Sequence, residues 1–558
     1  MHGASVTLLL AISQHHLERL ESDLLAVSDP RSARYGQFLS FDSVAARTRN
    51  AVGTARSQAW LRARCQKVET TLTGDYVYGA SCARAGLPFT HVGREGTRER
   101  AMGAVVELPG DFPEELRGHV DYVRWWYDKA PSSSSSSTTS ASRLRRPFVA
   151  YNADRNDGDD DKNAYPPPSP GELIGNTTWQ LIDKVYNVSS NRVAAASRAT
   201  QGLLAIGQAV DYPKDLNSFA ADQRVPAPLS NISISGPARN FGYECQHSPN
   251  DCLELSLDTE IITAVAQGAD TMVWMADPNT ETWFADFMAK LVNDPQASLV
   301  HSMSYDITEA THSPAVMQRF NVDAMKLGVR GITILTASGD DGVAGYETRN
   351  AGKQACGLHP AWPATSPYVL TVGATNGPEA GQPERACTFA NGGLISSGGG
   401  FSRFHARPKW QEASVSAYLE RNASGTLPPA SMFNRSGRAY PDVALLGHSY
   451  PTVDGGKFYP VSGTSASTPV MAALLTLVND LRLEMGKSPV GMVAPALYAL
   501  QGTGVFHDIT EGRNNCCAAQ TDPVCCPYGF TAGEGWDAVT GLGSVDHGRL
   551  AEALLALG

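Results

Sequence analysis

The stretch Ser462-Gly463-Thr464-Ser465-Ala466-Ser467-Thr468-Pro469 leaves the chain few local options. A glycine-bearing turn runs directly into Val470-Met471-Ala472-Ala473-Leu474-Leu475-Thr476-Leu477, a helical run whose small residues allow close packing. Ser465 is thereby set near a helix N-terminus, where unpaired backbone N–H groups and the helix dipole favour negative charge. That environment suits a nucleophile whose reaction creates an oxyanion. For Gly-Thr-Ser alone, a hydroxyl N-cap without chemistry is an equally good reading.

A serine hydroxyl needs a base, and histidine is the usual one. The Asp-Ser/Thr-Gly strand end and His-Gly-Thr-His turn that would supply it are absent, and the His-Gly pairs at His2-Gly3 and His547-Gly548 lie at the chain ends. His301, His312, His359, His405 and His448 stand in unrelated contexts and read as packing or surface histidines. Carboxylates fill the gap. Residues 252–266 read as a helix, with Leu257, Ile261, Ile262 and Val265 at helical spacing. Glu254 and Asp258 are i,i+4 and share one face, where they must share a proton or sit in solvent. A third acid, Asp340, follows the apolar strand Gly331-Ile332-Thr333-Ile334-Leu335. The C-terminal ends of such strands carry functional groups in open α/β sheets, although a plain turn aspartate before glycine reads the same way.

In this order the three segments resemble the sedolisin family of serine-carboxyl peptidases. The likeness extends through Ser396-Ser397-Gly398-Gly399-Gly400-Phe401-Ser402 and Gly437-Arg438-Ala439-Tyr440-Pro441-Asp442 to the C-terminus. It also covers the opening of the chain, where Val27-Ser28-Asp29-Pro30-Arg31-Ser32-Ala33-Arg34-Tyr35-Gly36 is similar to the family's propeptide. The resemblance implies an α/β fold: a subtilisin-like core with a mainly parallel sheet flanked by helices, behind an α+β propeptide domain. It implies Ser465 as nucleophile, Glu254 as general base and then acid, Asp258 as the group orienting Glu254, and Asp340 as the oxyanion donor. It implies one structural Ca2+, held by the carboxylates of Asp508 and Asp537 and the carbonyls of Ile509, Gly533 and Gly535. Calcium takes six to eight oxygens, which such a set with water can supply.

The implied chemistry belongs to acid. An ionised carboxylate only accepts hydrogen bonds, so Asp340 serves an oxyanion only while protonated. The Glu254–Asp258 pair titrates as one unit. Activity is therefore expected to fall toward neutral pH for two separate reasons. Two departures from the family pattern stand out. Asp341 follows Asp340 where serine is usual, and either raises its neighbour's pKa or points to solvent. Asp306, in Ser302-Met303-Ser304-Tyr305-Asp306, stands where glycine is usual or has been deleted, which leaves tripeptide release from free N-termini and internal cleavage both open. Two other readings are a histidine-based subtilisin-like peptidase and an inactive homologue that acts by binding.

Charged residues make up 18% of the 558 and the net charge is −11, so no basic stripe exists for nucleic acid. No segment reaches the ~20 apolar residues of a membrane span. Residues 1–130 are expected to form the propeptide, a pro-kumamolisin-like activation domain acting as intramolecular inhibitor. Val6-Thr7-Leu8-Leu9-Leu10 reads as a strand, His16–Leu25 as an amphipathic helix, and His119-Val120-Asp121-Tyr122-Val123 as the close of this unit. A linker at 131–172 carries six consecutive serines and Arg145-Arg146, one candidate cleavage site. The peptidase domain is expected over 173–558, acting on peptide or protein substrates as a monomer.

The expected location is secreted, or alternatively lysosomal or vacuolar, although no signal peptide is evident. Five sequons support this, at Asn176, Asn187, Asn231, Asn422 and Asn434. So do ten cysteines. Cys65 with Cys82 and Cys245 with Cys252 are the expected short-range pairs. Cys516, Cys517, Cys525 and Cys526 cluster, leaving Cys356 and Cys387. Connectivity does not follow from sequence, and adjacent cysteines do not fit zinc spacing.

Overall fold

The computed structural model describes residues 5–83, 87, 104–106, 108, 112–127, 149–150, 177–206, 212–226, 231–237, 249–277, 282–421, 427–519 and 521–558. The Arg145-Arg146 pair, Cys245, and the sequons at Asn176 and Asn422 lie outside them.

Strand Ser5–Ile12 shows why the N-terminal run is apolar on both faces. Val6, Leu8, Leu10 and Ile12 point one way, into a small core with Trp60, Leu61, Val77 and Val123. Leu9 and Ala11 point the other way, against Phe284, Phe287 and Phe320. Period-two alternation therefore hides in a continuous hydrophobic stretch, because both faces are covered. The strand sits in an antiparallel sheet with spatial order Cys65–Thr70, Tyr76–Ala83, Ser5–Ile12, Val120–Tyr127, Ala104–Val106. Helix Ala51–Arg62 covers its outer face, and Cys65–Cys82 closes it, as expected.

This N-terminal unit meets the rest of the molecule at several places, among them an ion pair of Arg124 with Asp286 at 2.6 Å, and two of them are clamps. Helix Leu17–Ser28 lays Leu20 and Leu24 against Val322, Met325 and Val329 of helix Pro314–Gly328. Nearby, the Phe38 ring seats over Gly331 and Gly491, where a Cβ would come within 2.7 and 2.5 Å of ring carbons. Side chains there would evict the ring. The second place is ionic. Arg319 and Lys326, fully buried on helix Pro314–Gly328, meet Asp75, with Lys326 Nζ donating to Asp75 Oδ2 at 2.5 Å. Arg319 also reaches Asp323 at 3.2 Å and Asp121 at 3.4 Å, and stacks over the Tyr76 ring.

The second unit is built on a sheet of order Arg385–Ala386, Leu370–Asn376, Thr333–Ala337, Val300–Met303, Thr200–Ile206, Asp270–Ala276, Ile232–Ser235. All neighbouring pairs are parallel except the first, and Val443–Leu446 adds a further parallel pairing to Leu370–Asn376. Helix Thr464–Glu484 is buried from Thr464 through Asp480 and reaches solvent only at its far end, which is why it is apolar around most of its circumference. Helix Pro249–Val265 packs beside it. Both helices thus present their N-terminal turns to the C-terminal ends of the sheet strands.

The cysteines pair differently from a simple remainder. Cys356 bonds to Cys526 and Cys516 to Cys525, while Cys387 and Cys517 are buried thiols. Cys356 and Cys387, left over in the sequence, are thus not partners.

Candidate active site

Ser465 is the second residue of its helix and is fully buried. Gly463, extended at φ 177° and ψ 158°, delivers the chain from strand Lys457–Ser462 into that helix. The Ser465 hydroxyl donates to the Ser304 carbonyl at 3.1 Å. Ser304 in turn donates through its own hydroxyl to Asp258 Oδ1 at 2.7 Å. Helix Pro249–Val265 carries Glu254 and Asp258 one turn apart, both buried, facing this point. Neither Glu254 oxygen closes a hydrogen bond of good geometry, although Ser465 and Asp258 are both near enough to act on its ionisation. Such contacts often tighten only when substrate binds.

Electrostatics single out the same residues. Burial, then the neighbouring Asp258 and Asp340, push the Glu254 carboxyl well above the usual range. Burial raises Asp258 likewise, against the hydrogen bond from Ser304. Asp340 is pushed up to about 8, chiefly by burial. One of its oxygens, Oδ1, accepts from the Thr464 backbone at 2.7 Å and the Thr464 hydroxyl at 2.9 Å. The other, Oδ2, is buried without a partner. A protonated Asp340 therefore has its O–H free on Oδ2, at the N-terminus of the Ser465 helix.

Among the described residues, the buried histidines lie elsewhere. His301 packs edge-on to Phe287, with burial lowering its pKa to about 3. His405 faces Asn321 and His547 faces the Leu474 carbonyl, both lowered to about 4 by burial.

Both departures in the sequence find a place. Asp341 does not point to solvent. It is 6% exposed, accepts from Ala518 N at 2.9 Å and faces Arg349 Nε at 3.4 Å. Its charge, with that of half-buried Asp306, adds to the upward push on Asp340. Asp306 Oδ2 would lie 3.4 Å from a Cβ at Gly339, so this acid borders the Asp340 turn.

Comparison with known proteins agrees with this geometry. Residues 2–78 match the pro-kumamolisin activation domain and residues 247–490 match the subtilase family. Tripeptidyl-peptidase 1 of Homo sapiens is 31% identical over 580 residues, which cover 99% of this chain and 92% of that protein. The Macaca fascicularis protein is 32% identical with the same coverage. This chain belongs to the sedolisin family of serine-carboxyl peptidases. The fold agrees too: a Pseudomonas sedolisin bound to pseudo-iodotyrostatin superposes with a TM-score of 0.52 at 23% identity, covering 68% of this chain and 98% of that one. As a sedolisin-type serine peptidase with an activation domain, the chain is organised as a zymogen.

The remaining expected site residues form a second cluster in this sedolisin, at the C-terminal end. Asp508 Oδ2 accepts from Gly535 N at 2.8 Å. Asp537 is buried, accepts from Gly533 N at 3.1 Å and Thr540 N at 2.8 Å, and is pushed up to about 7 by burial. The Ile509 carbonyl meets the Thr540 hydroxyl at 3.4 Å. Ser304, Thr464 and Arg349 escaped sequence reasoning. Thr464 adjoins the nucleophile candidate and was within reach of it; the other two are placed only by the fold.

Proposed function

We propose that this peptidase works in acid, cleaving through an acyl-enzyme and releasing tripeptides from free N-termini. The observation that carries the acid chemistry is the convergence of three buried carboxyl groups, Glu254, Asp258 and Asp340, on a serine at a helix N-terminus. Ser465 attacks the scissile carbonyl. Glu254 takes its proton and returns it to the leaving amine. Asp258, held by Ser304, keeps the pair singly protonated and Glu254 oriented. Asp340 donates from Oδ2 to the oxyanion, the kind of contact that typically contributes 10²–10³-fold.

The pH dependence follows from signs. A carboxyl raised by burial keeps its proton in acid and is forced to ionise as pH rises. Full ionisation of the Glu254–Asp258 pair removes the proton the leaving amine needs, so activity is lost on the alkaline side. Asp340, near 8, keeps its proton through neutrality.

Tripeptide release rests on full-length similarity to proteins named tripeptidyl-peptidase 1. The test is to activate the protein at about pH 4 and analyse products from a long peptide with free and with acetylated N-terminus. Stepwise tripeptides from the free form alone are expected. Internal fragments from both forms would make it an endopeptidase, and a rate maximum above about pH 7 would remove the carboxyl assignment.

The Asp508–Asp537 cluster fits one structural Ca2+. Its donors are all oxygens: two carboxylates and the carbonyls of Ile509, Gly533 and Gly535. The groups acting on buried Asp537 are backbone N–H donors and Thr540, with no cation among them, and a bound cation would supply the missing charge. Chelation is expected to lower Tm by about 3 °C, from ~2.7 kcal/mol at a hundredfold excess over Kd spread over the unfolding entropy of a domain this large. Asp537→Asn should abolish that difference; an unmoved wild-type Tm would count against the ion.

A secretory route to an acidic lumen, lysosomal or external, suits the three disulfides among the described residues. No helix among those residues is long and apolar enough to cross a membrane. Asn231 and Asn434 are exposed and open to glycans, whereas Asn187 donates to Asp546 at 3.1 Å. The mature enzyme is taken as a monomer over about 173–558, freed from a propeptide over 1–130 by cuts in the 131–172 linker.

A further inference from the structure

The hairpin that delivers the nucleophile is held by acids at its far end. Strands Tyr450–Asp454 and Lys457–Ser462 turn through Gly455 and Gly456, both in the left-handed region at φ 58° and 77°, as a two-residue hairpin turn requires. Asp215 of helix Tyr212–Asp222 accepts from both glycine N–H groups, at 2.9 and 2.8 Å. Glu260 accepts from Val453 N at 3.0 Å. Asp454 accepts from the Ser256 hydroxyl at 3.1 Å. Ser256 and Glu260 lie on either side of Asp258 in helix Pro249–Val265, which also carries Glu254. The hairpin leading to Ser465 is thereby tied to the helix that carries its base.

Three carboxyl groups from three elements meet at this one hairpin end. Asp215, Glu260 and Asp454 are 3, 1 and 6% exposed. The cations of the same elements, Lys214 and Lys457, are exposed. The charges acting on Glu260 are those of Asp215 and Asp454, and the charge acting on Asp454 is that of Asp215. Like charges so buried are tolerated only while some of the groups keep their protons.

Burial pushes Glu260 well above the carboxylate range and Asp454 up to about 6. A carboxyl raised in the folded chain adds stability in acid. That contribution is lost as pH rises from the unfolded value through the folded one. For Asp454 the window runs from 3.8 to about 6. For Glu260 it begins at 4.5 and extends higher.

We propose that Asp215, Glu260 and Asp454 form a clasp, closed in acid and opened toward neutrality, that keeps the hairpin leading to Ser465 docked on the helix carrying Glu254 and Asp258. This regulates the site already described, and rests on Ser465 being the nucleophile and Glu254 its base. The three acids touch no reacting atom. Strand Lys457–Ser462 runs from the turn to Gly463 and Ser465 without a break, so a hairpin end pushed off the helix disturbs the serine turn. Outside acid the enzyme then switches off in shape as well as in chemistry, and the loss of shape outlasts a return to acid until the hairpin docks again.

That persistence is what the test reads. Acid-activated enzyme is held at about pH 7, returned to about pH 4 and assayed there, which removes the proton requirement of catalysis from the comparison. Wild type is expected to lose activity during the hold. Glu260→Gln combined with Asp454→Asn keeps an oxygen for Val453 N and for Ser256 but cannot ionise. This variant should survive ~10-fold longer or more, with kcat/KM at about pH 4 within about twofold of wild type. Equal survival of the two proteins overturns the inference. Should the variant fail to fold, amide exchange on wild type decides. Protection at Val453, Gly455 and Gly456 should fall ~10-fold or more between about pH 5 and 7, while that of strand Thr333–Ala337 is kept. Unchanged hairpin protection overturns the clasp. Ser465→Ala separates the two readings: retained turnover removes the nucleophile assignment itself, whereas an inactive Ser465→Ala beside unchanged hairpin protection in wild type removes only the clasp.

Discussion

Glu254→Gln is expected to lower kcat at about pH 4 by ~10⁴-fold or more while the protein still folds, approaching the loss in Ser465→Ala. Glutamine keeps the volume and polarity of Glu254 but neither takes nor gives a proton. Stability should not fall, since the glutamine amide can still meet Ser465 and Asp258 and a group that resists ionisation by burial is removed. Asp340 allows a finer comparison. Asp340→Asn retains an oxygen for Thr464 and an N–H donor for the oxyanion, whereas Asp340→Ala loses both. The alanine variant should lose ~10²–10³-fold and the asparagine variant clearly less. Equal losses would mean that Asp340 does not donate. Near-wild-type activity of Glu254→Gln at neutral pH would mean that a histidine, not Glu254, serves as the base. Steady-state kinetics between pH 3 and 7, with Tm for each variant, reads all of these.

What the sequence made legible was local. Glu254 and Asp258 share a face by helical spacing, Asp340 ends a strand, and Ser465 begins a helix; each is set within a few residues of chain. What it hid was carried by long closures. Ser304 reaches Asp258 across 46 residues and Ser465 across 161. Cys356 meets Cys526 across 170. The two fates left open for Asp341 were separated only by Arg349 and the Ala518 amide. The strand Ser5–Ile12 was read from its apolar run, but the reason for that run is a second face that only the peptidase unit covers.

That covered face leads to the second large effect: Asp75→Asn should let the zymogen mature at higher pH than wild type. The buried cluster balances two cations, Arg319 and Lys326, against Asp75 from the propeptide and Asp323 from the peptidase, with half-exposed Asp121 at its edge. Tyr76 donates to Asp323 Oδ2 at 2.5 Å. Burial alone would raise Asp75, but Lys326 and Arg319 hold it below its usual 3.8. A carboxyl depressed in the docked state strengthens docking above its free value, and that contribution fades as pH falls through the docked value. Asp75 therefore gives release below about pH 3.8. Asp323, raised by burial, acts in the opposite sense and favours docking in acid. It stays with the peptidase after release, so it tempers the response that the propeptide's own acid provides. Replacing Asp75 by asparagine leaves Lys326 and Arg319 undercompensated, and breaking a buried pair in this way costs about 3–5 kcal/mol. Conversion at pH 5, followed on gels, should accelerate ~10²-fold or more and lose much of its pH dependence. Removing both partners, in Asp75→Asn with Lys326→Gln, should restore docking but not the acid response, because neither unpaired charge remains. The Phe38 ring over Gly331 and Gly491 carries no charge of its own, and that contact should hold equally at pH 3 and 6. If Asp75→Asn matures at the wild-type rate across that range, the ionic cluster does not govern release.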